Sequence, residues 1–507
     1  MRAAILVAAA ATVLAGCAAG PDFLRPGPPA AERYTADPLP AQTASASVPG
    51  GASQHFAIGR DIPGDWWTLF RSPALDALVK EALAANPTLA AAQAALRQAR
   101  ELTKAGEGAF FPLVQGSFAA SRNKTGGQFS PNTASGALYY NQFTPELSVS
   151  YVPDVFGATR RTVEGLAAEE EAQRFELEAA YLTLTSGVVA AAGGEAELGD
   201  QIAATEEIIR TQRAALDILR KQKALGSVAG VDVAAQEAAL AQAEASLPPL
   251  QKQLAQQRDL IAVLAGRLPS EQPAARFDLA SLQLPQDLPV SLPSKLVAQR
   301  PDIRTAEENL HAASAAIGVA TANMLPQITL TGDIGTTALS VGTLFGPGTG
   351  FWTVAGSASQ TLFDGFSLLH KKRAAEAAFD QAAAQYRSTV LSAFQNVADT
   401  LEAIKSDADA LTAAVKAETA AKTSLDIAQR QLQLGAVSYL ALLSAEQTWE
   451  QAVVSRVQAQ AARLADTAAL YQALGGGWWN RNDTMAGVES GSAITPKLGF
   501  PSKNEER

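Results

Sequence analysis

Apolar and polar positions divide the chain into helical and strand-like stretches that recur in the same order. Residues 73–108 and 294–322 carry Ala-rich amphipathic patterns, with apolar residues returning every three or four positions. Each stretch is followed by a proline, Pro112 or Pro326, which stops helical continuation because its ring removes the N–H donor. Beyond each proline the period changes to two, as where Ile328 and Leu330 alternate with Thr329 and Thr331. This predicts four strands. Two, over 113–122 and 143–153, are joined by a loop holding Gly126-Gly127 and Pro131-Asn132; two more, over 327–336 and 350–363, are joined through Gly346-Pro347-Gly348. After Gly157 and Gly365 the helical pattern resumes over 158–224 and 366–433. At 1.5 Å per residue each would be about 100 Å long if unbroken. Both end at a Leu-Gly pair, Leu225-Gly226 and Leu434-Gly435, and helices return over 231–265 and 439–473. Gly193-Gly194 predicts a kink or break in the first long helix.

The recurrence is an internal duplication. Asn86-Pro87-Thr88-Leu89 matches Arg300-Pro301-Asp302-Ile303, and Phe110-Phe111-Pro112 matches Met324-Leu325-Pro326, both at an offset of 214. Val155-Phe156-Gly157 matches Phe363-Asp364-Gly365 at 208, and Leu225-Gly226-Ser227-Val228 matches Leu434-Gly435-Ala436-Val437 at 209. The expected organisation is a first repeat over 63–268 and a second over 294–477, each a helix, two strands and a long helical hairpin. Residues 269–293, with prolines at 269, 273, 285, 289 and 293, are expected to be a linker, and 478–507 a flexible tail.

Composition narrows what such a chain can be. Aromatic residues are only 6% and Ala dominates, which suits long helices at close approach better than a compact core. The net charge of −10 is spread out, and no Lys/Arg-rich block offers a surface for nucleic acid. No apolar stretch of 18 residues follows the first sixteen, so any bilayer crossing falls to the strands, which have the roughly 10-residue length of a tilted membrane strand. Four strands cannot close, and open edges are not tolerated in lipid. Two chains would give a barrel filled by side chains; three give twelve strands and room for a pore. The expected fold class is therefore an α+β membrane protein: a trimeric 12-strand outer-membrane β-barrel, four strands per chain, continuous with a long periplasmic α-helical barrel. A pore-free coiled-coil scaffold would need no alternating strands.

The N-terminus sets the compartment. Met1-Arg2 gives a positive start, Ala3 to Ala15 an apolar run, and Leu14-Ala15-Gly16-Cys17 resembles the bacterial lipoprotein signal. Residues 1–16 are then a signal peptide, Cys17 is lipidated, and 17–62, rich in Pro, Ala, Ser and Gly, form a lipid-anchored tether. Ala18, rather than Asp, follows the cysteine, which favours the outer membrane. Cys17 is the only cysteine, so no internal disulfide is possible. His55, His311 and His370 have no metal-ligand spacing, no Gly-x-Ser-x-Gly elbow occurs, and Gly475-Gly476-Gly477 follows a helix rather than opening a phosphate cradle. The expectation is no enzyme, no metal, and no cofactor besides the lipid.

Together these residues resemble outer-membrane efflux proteins of the NodT-like lipoprotein branch. The resemblance is carried by Trp66-Trp67-Thr68-Leu69-Phe70, Val152-Pro153-Asp154-Val155-Phe156-Gly157, Arg300-Pro301-Asp302-Ile303, Ile317-Gly318-Val319-Ala320, Leu362-Phe363-Asp364-Gly365 and Leu474-Gly475-Gly476-Gly477-Trp478, and spans nearly all of 17–478. It implies a homotrimer that conducts drugs or other small molecules outward. It also implies a periplasmic adaptor and an inner-membrane transporter of RND type as partners. The adaptor-contact tips it implies are Leu225, Gly226, Ser227 and Val228, with Leu434, Gly435, Ala436 and Val437. The family's gate pattern, Tyr-Leu-x-Leu-Leu-Asp-Ala-Gln, stands here as Tyr439-Leu440-Ala441-Leu442-Leu443-Ser444-Ala445-Glu446. Leu440 remains a hydrophobic constriction candidate; Ser444 replaces the acid, and Gln447 stands at an arginine position. Glu446 and Asp232 are expected on solvated helix faces, and Trp66, Trp67, Trp478 and Trp479 where the chain ends meet.

Overall fold

A computed structural model describes residues 18–125 and 138–481. The signal peptide, Cys17, the loop with Gly126-Gly127 and Pro131-Asn132, and the tail beyond 481 lie outside the described residues. The elements are β1 (His55–Ile58), α1 (Pro73–Ala85), α2 (Pro87–Glu107), β2 (Leu113–Thr125), β3 (Leu138–Tyr151), α3 (Ala158–Ala224), α4 (Gly230–Leu264), β4 (Asp287–Val290), α5 (Pro293–Gln299), α6 (Pro301–Ala322), β5 (Gln327–Thr336), β6 (Gly350–Ser359), α7 (Ser367–Gln433) and α8 (Tyr439–Ala473). The chain divides into two compact units.

The first unit takes residues 18–27, 98–175 and 302–390. It holds a four-stranded antiparallel sheet in the order β2-β3-β5-β6. Register is set by pairs such as Leu113↔Ser150, Ser150↔Thr331 and Gln327↔Ser359. The third and fourth predicted strands start where expected; β2 and β3 differ from their predicted bounds by a few residues, and β6 ends at Ser359, short of 363. Phe118, Leu147, Val149, Trp352 and Val354 are exposed on this sheet. β2 and β6 have no neighbour on their outer edge among the described residues.

The same unit fastens the residues that follow Cys17. Ala19 N–H donates to the Phe156 carbonyl (2.9 Å), and Arg161 donates to the Ala19 carbonyl and to Asp22 (2.6 Å). Phe23 stacks on His311 with centroids 4.4 Å apart, and Arg25 pairs with Glu307. Gly318, from the Ile317-Gly318-Val319-Ala320 motif, permits this path: a Cβ there would lie 2.9 Å from the Ala19 carbonyl oxygen and 2.6 Å from Arg161 Cγ.

The second unit takes 28–97, 176–301 and 391–481. The pattern over 73–108 is two helices, because the residue before a proline is pushed out of the helical region. Asn86 is extended and separates α1 from α2, just as Arg300 separates α5 from α6. Ser72 caps α1, and Pro73 occupies its first turn. Asn86 Nδ2 donates to the Leu264 carbonyl (2.9 Å) and Arg300 Nη1 to the Ala473 carbonyl (2.9 Å). Each repeat thus ties its proline break to the end of its own return helix.

The helix is not broken at Gly193-Gly194: α3 is continuous over all 67 residues. The glycines serve close packing. A Cβ at Gly193 would come within 2.8 Å of Leu464 Cδ2, and one at Gly194 within 2.8 Å of Gln257 Nε2, which itself donates to the Ala191 carbonyl. Segments 17–62 and 269–293 contribute structure of their own: β1 pairs in parallel with β4, from His55↔Asp287 to Ile58↔Val290. The first residues of the expected tail, Trp478–Asn480, form a short 3-10 turn. Trp66 is buried and stacks on Tyr471 (5.2 Å), and Trp67 Nε1 donates to Asp76. Trp478 Nε1 donates to the Gln299 carbonyl (2.7 Å), and Trp479 Nε1 to Asp61 (3.0 Å).

Candidate functional site

Aspartates open the long helices. Asp154 accepts from the backbone N–H groups of Thr159 and Arg160, both at 2.9 Å, and Asp364 from that of Leu368 at 2.8 Å. A carboxylate here satisfies N–H groups that no helical carbonyl reaches and complements the positive end of the helix dipole. That is the physical reason for the aspartates in the two sequence motifs that precede α3 and α7.

At their far ends α3 and α7 close with the same reversal. Gly226 (φ +77°) and Gly435 (φ +68°) adopt the left-handed conformation that glycine enters without a Cβ clash. Gly226 N–H returns to the Lys223 carbonyl and Ser227 N–H to the Gln222 carbonyl; Gly435 and Ala436 repeat this with Leu432 and Gln431. This double bonding satisfies the last helical carbonyls and turns the chain into α4 and α8. Leu225 and Leu434 are left 84% and 83% exposed, and Val231, just beyond the first turn, is exposed as well. The hairpin ends therefore present apolar side chains to solvent.

Just past the second turn, α8 has two distinct faces. Leu440 is 64% exposed, and Ser444, one turn on, is exposed beside it. Tyr439, Leu442, Leu443 and Glu446 are buried, the spacing of a helix face packed on neighbours. Glu446 therefore does not stand on a solvated face. Asp232 is half-buried and caps α4, accepting from Ala229 N–H at 3.2 Å. Among the described residues no group of three or more His, Cys, Asp or Glu side chains could hold a metal ion, and no helix is long and apolar enough to cross a membrane.

Comparison with known proteins identifies the arrangement. The family described as "Outer membrane efflux protein" matches residues 78–267 and 292–476, the two halves of the duplication and roughly three quarters of the chain. The chain belongs to the outer membrane efflux protein family. It is 28% identical over 496 residues to the probable efflux pump outer membrane protein TtgC of Pseudomonas putida, covering 97% of this chain and 98% of that one. It is 27% identical over 475 residues to the cation efflux system protein CusC of Escherichia coli, covering 92% and 97%. Among solved structures, the outer-membrane channel OprN superposes with a TM-score of 0.81 at 29% identity, covering 91% of this chain and 100% of that chain. The open-state Neisseria gonorrhoeae MtrE channel superposes at 0.78 with 27% identity, covering 92% and 100%.

This outer membrane efflux protein is thus the outer-membrane channel component of a tripartite pump, of a channel-forming family rather than an enzyme family. It acts as a trimer with a periplasmic helical barrel, beside an adaptor and an inner-membrane transporter. Trimerisation answers the open edges of the sheet, since three copies of β2-β3-β5-β6 can close edge to edge.

Two buried polar centres escaped the sequence reading. Arg463 has no solvent exposure and donates to Gln54 Oε1, Thr43 Oγ1 and the carbonyls of Gly50 and Ala52. Beside it, burial and then the neighbouring Asp466 carboxyl push Asp407 up to about 7. Burial also works against the Arg463 charge, while Asp407 favours it. The second centre is Glu446. Its helical register with Tyr439, Leu442 and Leu443 was the available signal.

Proposed function

We propose that this chain is the exit duct for small molecules handed over by an adaptor and an RND-type inner-membrane transporter, held to the outer membrane in part by a lipid on Cys17. The segments of the sequence then have separate duties. Residues 1–16 are removed, 17–62 anchor the chain, the repeats 63–268 and 294–477 build barrel and helices, 269–293 join them, and 478–507 close the chain. Leu225, Gly226, Ser227 and Val228, with Leu434, Gly435, Ala436 and Val437, receive the adaptor. The observation that carries this reading is the pair of matching hairpin ends, each with an exposed leucine beside a left-handed glycine.

Leu440 is the constriction in this reading, three copies per trimer, with Ser444 beside it in place of an acid. An apolar ring resists ions because it offers no replacement for their hydration. Leu440→Ser is expected to raise single-channel conductance in planar bilayers several-fold over a nearly closed wild type. Equal conductance of the two would remove Leu440 from the gate. Cys17→Ser is expected to abolish incorporation of labelled palmitate; continued labelling would place the lipid elsewhere.

A further inference from the structure

The buried face of the first turns of α8 carries a group that a packed helix seam ordinarily excludes. Glu446 is 7% exposed and occupies the fourth position of the stripe Tyr439, Leu442, Leu443, Glu446. The core of that seam is apolar, built from Ile209 and Leu216 of α3, Val233 and Leu240 of α4, and Leu425 of α7. Among the described residues Glu446 Oε2 has no hydrogen-bond partner. A carboxylate in such a place is costly, whereas a neutral carboxyl is tolerable.

The charges around Glu446 do not relieve it. On α8 the like-charged neighbour is Glu450, one turn on, which accepts from Gln212 Nε2 of α3 at 2.7 Å. From α4 come neutral Gln236, which receives the Tyr439 hydroxyl at 2.7 Å, and the acid Asp232 near Tyr439. Several cations along these helices are engaged elsewhere. Lys422 pairs with Asp426, Arg456 with Glu418, Arg213 with Glu244 and Arg220 with Glu237.

We propose that Glu446 is a proton-controlled lock on the start of α8: neutral, it keeps α8 packed on the α3–α4 hairpin, and ionised, it releases those turns. Burial, and then repulsion by Glu450, hold its carboxyl up at about 7 against an ordinary value of 4.5. With the packed value above the free one, packing is unpenalised below the free value. It weakens as pH rises between the two values and carries the full penalty above about 7. The released turns include Leu440, so release would also widen the constriction; that consequence rests on the reading of Leu440 given above.

The test is amide hydrogen exchange of the intact trimer in lipid nanodiscs at about pH 6 and about pH 8, either side of the packed value, corrected for the intrinsic pH dependence of exchange. In the wild type, amides of 439–450 are expected to exchange about tenfold faster at the higher pH, the bias that a single unit of pKa displacement supports. Glu446→Gln, which keeps the shape and cannot ionise, is expected to be equally protected at both values. Glu450→Gln removes a like charge that opposes ionisation of Glu446 and brings the packed value closer to the free one, so the difference in exchange between the two pH values is expected to shrink relative to the wild type. Equal wild-type protection at both pH values, or an unchanged response in Glu446→Gln, would overturn the lock. Bilayer conductance on the same samples separates the two readings: released turns without increased conductance would retain the lock and dismiss Leu440 as the constriction.

Discussion

Replacing Gly435 by Glu is expected to abolish export while trimers still form. Gly435 sits at φ +68° in the turn between α7 and α8, and no atom lies within 4 Å of where its Cβ would stand. Folding would therefore lose only the strain of a left-handed non-glycine residue, about 1–2 kcal/mol. That is small beside the packing of two 67-residue helices. Docking would lose far more. A new carboxylate in each of the three chains would stand beside exposed Leu434, on the surface proposed above to receive the adaptor. Gly435→Asn separates the two effects, because Asn accepts the left-handed conformation and adds no charge. It is expected to retain most export. The measurement is the drug susceptibility of a complemented deletion strain, with trimer content checked by native mass spectrometry. Export surviving in Gly435→Glu at normal abundance would end the assignment of this turn as an adaptor contact.

Arg463→Leu is expected to destabilise the second unit by about 3–5 kcal/mol, the range for deleting one partner of a buried charged network. The side chain has no exposure and supplies hydrogen bonds to Gln54, Thr43, Gly50 and Ala52. Its loss leaves those acceptors without this donor and removes the cation beside Asp407. Arg463→Lys is expected to recover little, because an ammonium cannot span acceptors that a planar guanidinium fork reaches together. Limited proteolysis of the folded trimer should cut 43–54 in both variants under conditions that spare the wild type. An unchanged cleavage pattern and melting temperature would show that the segment is held by other contacts.

Much of the architecture was legible because its causes are local. Pro112 and Pro326 stand just past the ends of α2 and α6, where a residue without an N–H cannot continue the helix, although α4 carries Pro248 and Pro249 in its interior. The period of two in residues 327–336 produces β5 at those bounds. The reversals at Gly226 and Gly435 need only a residue that tolerates positive φ. Duplication made each of these signals recur, and four strands with open edges demanded three chains. Where the structure departs from the sequence reading, the deciding neighbour is usually distant in the chain. Gly193-Gly194 suggested a break, yet Leu464 and Gln257, close only in the folded state, occupy the space those glycines leave. Asn86 interrupts a pattern that apolar periodicity carries straight through, because Pro87 constrains its backbone and the Leu264 carbonyl receives its side chain.

By itself the sequence determined the order of elements, the repeat, the turns at Gly226 and Gly435, and the need for a shared barrel. These follow from backbone sterics, side-chain period and hydrogen-bond supply, which act over a few residues. Only the tertiary structure decided which polar side chains are buried and which remote segments meet. It set Glu446 in the apolar seam of α3, α4 and α8, closed the 43–54 segment around Arg463, and paired β1 with β4. Burial is a property of what packs against a residue, and those partners lie far away along the chain.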